Sequence, residues 1–265
     1  MAILTHGSDL SLAPTITPVV RATDGSVRTA LARLGAAGFS SVQLDAALSG
    51  TRPRELDSTA RRDLIATARR AGLTIGGLDL FIPRDHYTDP AHVDRATLAT
   101  LAAIELAGDL GRAPLSVNLP IDSLHDDVEA ALVAGLEASG VTLVVHAEDQ
   151  LEALANWLGK IDSDLIGAGL DPAVCLGGRS DPTQTVQALI GQLAGARLSD
   201  NPRGLADGSR CLVGSGDLDL MSYRISLDLA PRRRGPVVLD LRGLSQPLDA
   251  AALARRAWDD AGVSL

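Results

Sequence analysis

His146 closes the run VTLVVH, Asp171 closes LIGAGLD and Asp240 closes PVVLD, so each sets an ionisable group at the end of a hydrophobic stretch. Burying an imidazole or a carboxylate without a partner is costly, so each must meet an opposite charge, a metal ion or a substrate. His146, whose ordinary pKa of about 6.5 suits proton transfer near neutrality, can serve as general base or ligand, or can sit in the core bonded to a backbone carbonyl. Asp171 can bind a metal or a sugar hydroxyl, or cap the helix that Asp-Pro-Ala begins. Arg197 and Arg242 have the forked geometry to hold a carboxylate, phosphate or polyol, or to neutralise Asp171 and Asp240. Asp79 and Asp240 read equally well as site carboxylates or as members of a buried ion-pair ring. Gln43, Asp45, Asn118, Glu148, Ser199 and Asp200 complete the polar positions within or just after apolar runs.

The elements that must position these residues alternate along the whole chain. Strand-like runs lie near residue 10 (LSLAPTI) and at 40–46, 73–82, 113–119, 141–147, 165–171, 196–200 and 236–242. Helical patterns lie between them, at about 55–71, 90–110, 124–138, 149–158, 182–194, 217–229 and 248–261. An earlier helix is marked by Val27, Ala30, Leu31 and Leu34, which fall on one face at i, i+3, i+4 and i+7. Strands apolar at successive residues suit a parallel sheet covered on both faces. Eight such units in 265 residues predict an α/β fold, a closed (β/α)8 TIM barrel forming one domain over 1–265. No GxGxxG or GxxxxGK[ST] motif suggests an open nucleotide-binding sheet. In a barrel the carboxyl ends of the strands converge on one mouth, which is where the polar residues above would gather. The longest polar loops follow the third and seventh strands. In the third, His86 and Tyr87 could close over a ligand, or simply be solvated.

Composition narrows the function. Twenty-four Lys and Arg against 33 Asp and Glu give a net charge of −9, which disfavours nucleic acid or an anionic membrane as partner. Cys175 and Cys211 are too few for a disulfide framework and read as inert. The opening residues show no basic start followed by a long apolar run, and no later segment is long and apolar enough to span a membrane, so the expected location is the cytoplasm. Arg232, Arg233 and Arg234 read as a solvated turn before the last strand, and Trp157 and Trp258 as packing residues.

Taken in order, RLSD (197–200), VGSGDLDL (213–220), GPVVLD (235–240), GFSSVQLD (38–45) and GLDPA (169–173) make the chain resemble the xylose isomerase-like TIM-barrel superfamily of sugar phosphate isomerases and epimerases. The resemblance spans nearly the whole sequence. It implies a carbohydrate-like substrate, association into homo-oligomers, and a divalent ion such as Mn²⁺, Mg²⁺, Co²⁺ or Zn²⁺ held by Glu, Asp, His and Glu from strands five to eight. At those positions stand His146, Asp171, Arg197 and Asp240. Both Glu residues that serve the family as acid and base are replaced, and Val174 stands where many relatives carry a His. A guanidinium has no lone pair for a cation and repels it.

Two readings of the centre stay open. In one, His146, Asp171 and Asp240 bind an ion, with Glu148 a fourth ligand if the strand register differs. In the other no metal is present, Arg197 supplies fixed positive charge and His146 moves the proton. The catalytic candidates are then His146, Asp171, Arg197 and Asp240, with Gln43, Asp79, His86, Asn118, Glu148 and Arg242 as substrate-binding candidates. The corresponding functions are a sugar isomerase or epimerase, a keto-sugar lyase or hydratase, or a carbohydrate-binding barrel without chemistry. The class II AP endonucleases share the fold, but the charge and the missing ligands argue against that activity.

Overall fold

Residues 10–161, 163–231 and 235–263 are described by a computed structural model in which the apolar runs form eight parallel strands. These are β1 (Leu12–Pro14), β2 (Ser41–Asp45), β3 (Thr74–Leu80), β4 (Leu115–Asn118), β5 (Leu143–His146), β6 (Ile166–Leu170), β7 (Leu193–Leu198) and β8 (Val237–Leu239). Neighbours follow chain order from β2 to β8, and β1 pairs with β8. A single parallel bridge between Thr15 and Gln43 joins the end of β1 to β2 and closes the ring. At least one helix follows every strand, giving a (β/α)8 TIM barrel.

The helices pack their apolar faces on the sheet. In the helix Val27–Ala36, Ser26 caps the first turn by accepting from the Thr29 amide, and Ala30, Leu31 and Leu34 are fully buried. Each such leucine contributes about 1.5–3 kcal/mol by leaving water. Trp258 in the last helix is buried and donates its indole N–H to the Leu10 carbonyl at 2.8 Å, and Trp157 donates to Glu129 at 2.7 Å. Both are packing residues. Among the described residues no helix is long and apolar enough to cross a membrane. The Arg232–Arg234 run lies outside the described residues.

Three boundaries differ from the sequence reading. The LSLAPTI run supplies only three strand residues before the helix Ile16–Ala22 begins, because Pro18 in its first turn has the fixed φ that a helix start accepts. Strand β7 starts at Leu193, three residues before the expected ARLSD segment, since the preceding helix stops at Ala188 and Gly191, at φ 84°, turns the chain early. A short helix, Pro172–Gly177, follows Asp171 directly.

Candidate active site

The carboxyl ends of the strands open into a cleft of about 600 Å³. Asp79 of β3, Asn118 of β4, His146 of β5 and Arg197 of β7 line it from the strands themselves. Glu148, Asp171 and Arg242 line it from the residues that follow β5, β6 and β8. Three of the expected residues do not line it, and of these Asp240 is buried beneath the cleft. Gln43 sits two residues before the end of β2, one layer down inside the barrel, where it is buried and donates to Ser116 Oγ at 3.3 Å. His86 stacks its ring on His92, with centroids 4.5 Å apart, and does not line the cleft. Its neighbour Tyr87 is fully buried against Thr100 and is neither a lid nor solvated.

Three arginines and three aspartates interlock at the base of the cleft. Arg197 donates to Asp79 at 2.8 Å and approaches Asp240 at 3.5 Å. Arg242 donates from Nε to both Asp240 oxygens, at 2.9 and 3.1 Å, and stands 3.8 Å from Asp79. Arg210 bonds Asp171 and lies 2.9 Å from Asp240. Burial alone would raise the Asp240 pKa, but hydrogen bonds from Arg242 and the charges of Arg242, Arg197 and Arg210 outweigh it and hold this carboxyl well below the usual range. Asp171 is likewise pushed up by burial yet held low on balance, chiefly by Arg210. Its other oxygen accepts from Ser199 Oγ at 2.6 Å and from the Ala173 amide at 3.2 Å, so Asp171 caps a helix and joins the ion pairs at once. Of the three guanidinium side chains Arg242 is the most open, at 33% exposure against 4% for Arg197.

Arg210 drew no notice in the sequence because it lies in the long loop after β7, with no periodicity to give it a direction. Asp200 provides that direction. This buried carboxylate accepts from the amides of Asn201, Gly214, Gly216 and Leu218 at 2.9–3.0 Å, and so folds the loop into a fixed shape. A side chain at Gly216 would place its Cβ 2.3 Å from Asp200 Oδ1, so only glycine allows the approach. Arg84, also unforeseen, bonds Asn118 and pairs with Asp149 through two contacts of 2.7 Å.

His146 stands apart from the ion pairs. Its Nδ1 lies 2.8 Å from Glu148 Oε1, and among the described residues its Nε2 has no hydrogen-bond partner. The ring fits because residue 169 is glycine: a Cβ there would lie 2.5 Å from His146 Cε1. Cys175 is buried beside Glu148 and Asp171, and burial followed by those two charges pushes its thiol up to about 12, which makes it a poor nucleophile.

No protein-family model matches the sequence, and no curated protein matches it. Solved structures match nearly end to end. A xylose isomerase domain protein from Alicyclobacillus acidocaldarius superimposes with a TM-score of 0.71 at 17% identity, covering 95% of this chain and 98% of its own. The fold is the xylose isomerase-like TIM barrel. Two further barrels of this fold match at a TM-score of 0.71 and 15% identity. One is a xylose isomerase-like TIM barrel protein from Mycobacterium smegmatis in complex with magnesium, covering 96% of this chain and 97% of its own. The other is an L-ribulose 3-epimerase, covering 96% of each chain. At these identities the likeness is one of fold.

Within this xylose isomerase-like barrel, the set His146, Asp171 and Asp240 does not fit a divalent ion. Both carboxylates are already engaged by guanidinium groups, with Arg210 between them, and the histidine pairs with Glu148 instead. Among the described residues no three His, Cys, Asp or Glu side chains come together to hold a metal. Arg197 stands at the position the resemblance assigns to a ligand, and it pairs with Asp79 and Asp240.

Proposed function

We propose that this xylose isomerase-like barrel binds a carbohydrate and moves a proton on the carbon beside its carbonyl, as a sugar isomerase or epimerase with His146 as base. The 2.8 Å contact between His146 Nδ1 and Glu148, inside the cleft, carries the reading. With Nδ1–H donated to Glu148, the lone pair of Nε2 is left to take a proton from carbon, and the carboxylate stabilises the imidazolium that forms. The electrons left behind move onto the carbonyl oxygen, and Arg242, the most open of the three arginines, is the cation placed to meet that charge. The proton of the hydroxyl on the deprotonated carbon then passes to that oxygen, and returning the abstracted proton to the former carbonyl carbon leaves the carbonyl on its neighbour and gives the isomer. Epimerisation needs an acid on the opposite face, and Asp171 and Asp240 are ionised and paired, so one base favours isomerisation. The epimerase among the structural neighbours supports a sugar as the ligand class.

A second reading, a barrel that binds carbohydrate without chemistry, is favoured by one observation: every cleft arginine is already matched by an aspartate. Proton NMR in D₂O separates the two. With a panel of ketoses, the wild type is expected to exchange the hydrogen next to the carbonyl, and His146→Gln to lose that exchange while still binding. Binding without exchange in the wild type supports the second reading.

A further inference from the structure

The cleft continues past its own rim. Phe81, which follows the last residue of β3, keeps 61% of its surface exposed, and the Arg242 guanidinium lies 6.0 Å from its ring centroid. Beyond them is a second hollow of about 520 Å³, lined by Thr17, Arg21, Ala22, Asp45 and Ser245 among others, and Asp79, Phe81 and Arg242 line both hollows. The second hollow offers what a sugar ring needs. Asp45 accepts from Thr17 Oγ1 at 2.6 Å and from the Ala47 amide at 2.8 Å, which leaves lone pairs on the same carboxylate for ligand hydroxyls. Arg21 pairs with no carboxylate among the described residues and has donors to spare. Phe81 is an apolar platform between the two polar lobes, the composition expected of a ligand site. Charge argues against a phosphate there, because Asp45 and Asp79 offset Arg21 and Arg242.

We propose that the site takes a ketose carrying a second sugar, with the ketose beside His146 and the second ring across Phe81 in the Thr17–Asp45 hollow. The proposal rests on the carbohydrate reading above. Isothermal titration with D-fructose and with its glycosides lactulose, palatinose and turanose tests it. At least one disaccharide is expected to bind about tenfold or more tightly than D-fructose. Ala22→Trp, at an exposed helix end, should fill the second hollow, reducing the disaccharide to the affinity of D-fructose and leaving D-fructose unchanged. Equal affinities in the wild type, D-fructose binding with every disaccharide excluded, or an Ala22→Trp variant that binds disaccharide as the wild type does would each overturn the two-ring site while sparing the carbohydrate reading. Binding of none of the four sugars would overturn that reading and this one with it.

Discussion

Arg210 reaches from the loop after β7 to within 2.9 Å of Asp240 Oδ2, a carboxylate with no exposed surface. The same nitrogen bonds Asp171. Arg210→Ala would leave three aspartates, two of them buried, facing two arginines, and stranding a buried charge costs about 3–5 kcal/mol. The urea midpoint should fall accordingly, and adding Asp171→Asn should restore part of the loss. A variant as stable as the wild type would show that the loop contributes no binding energy to the cluster.

Acid should dismantle the cluster. Asp171 and Asp240 have folded-state pKa values below their ordinary 3.8, so their stabilisation is fully present above that value and is lost as pH falls below it. The melting temperature should hold between neutrality and about pH 5 and then drop steeply. Asp240→Asn, though less stable throughout, should show a shallower drop.

Asp200→Ala would leave four loop amides without their acceptor. The amides of Asn201 and Leu218 are buried, and at about 1–3 kcal/mol for each buried donor left unpaired the loss should reach about 2 kcal/mol or more. It should be local first: hydrogen exchange is expected to quicken at Gly214, Gly216 and Leu218 before it does so in the strands. Uniform acceleration across the barrel would assign Asp200 to the core instead of to the loop.

Gly169→Ala pushes a methyl group into the His146 ring, and such overpacking costs about 1–3 kcal/mol. The ring must shift away from residue 169. The NMR resonances of the ring should therefore move between wild type and Gly169→Ala, and any proton exchange on a ketose should fall with it. Unchanged resonances would mean that the ring's position does not depend on this close approach.

The strands were legible because an apolar run can be read without knowing what surrounds it, and polar residues ending such runs, among them Asp79, His146, Asp171, Arg197 and Asp240, do meet at the mouth. Their partners were not legible. Arg210 and Arg84 lie in loops, where the path of the chain depends on one buried acceptor such as Asp200 or on a short turn, and neither leaves a period in the sequence. Gln43 failed for a different reason, since a strand read as a whole does not say which layer of the barrel a residue fills. The resemblance suggested a metal held from four positions, but Arg197 fills one of them and arginines engage the two aspartates at others, because motif spacing locates a side chain without giving the charge that faces it.

The seam of the ring carries a consequence for how the chain is made. Strand β1 holds three residues of pairing with β8 and a single bridge to β2. During synthesis, β1 emerges before the other seven strands but has almost no strand to pair with until residues 237–239 follow it out of the ribosome. Any sheet the earlier strands form before then has two unsatisfied edges, and a cell making this protein must keep those edges from finding each other on neighbouring ribosomes.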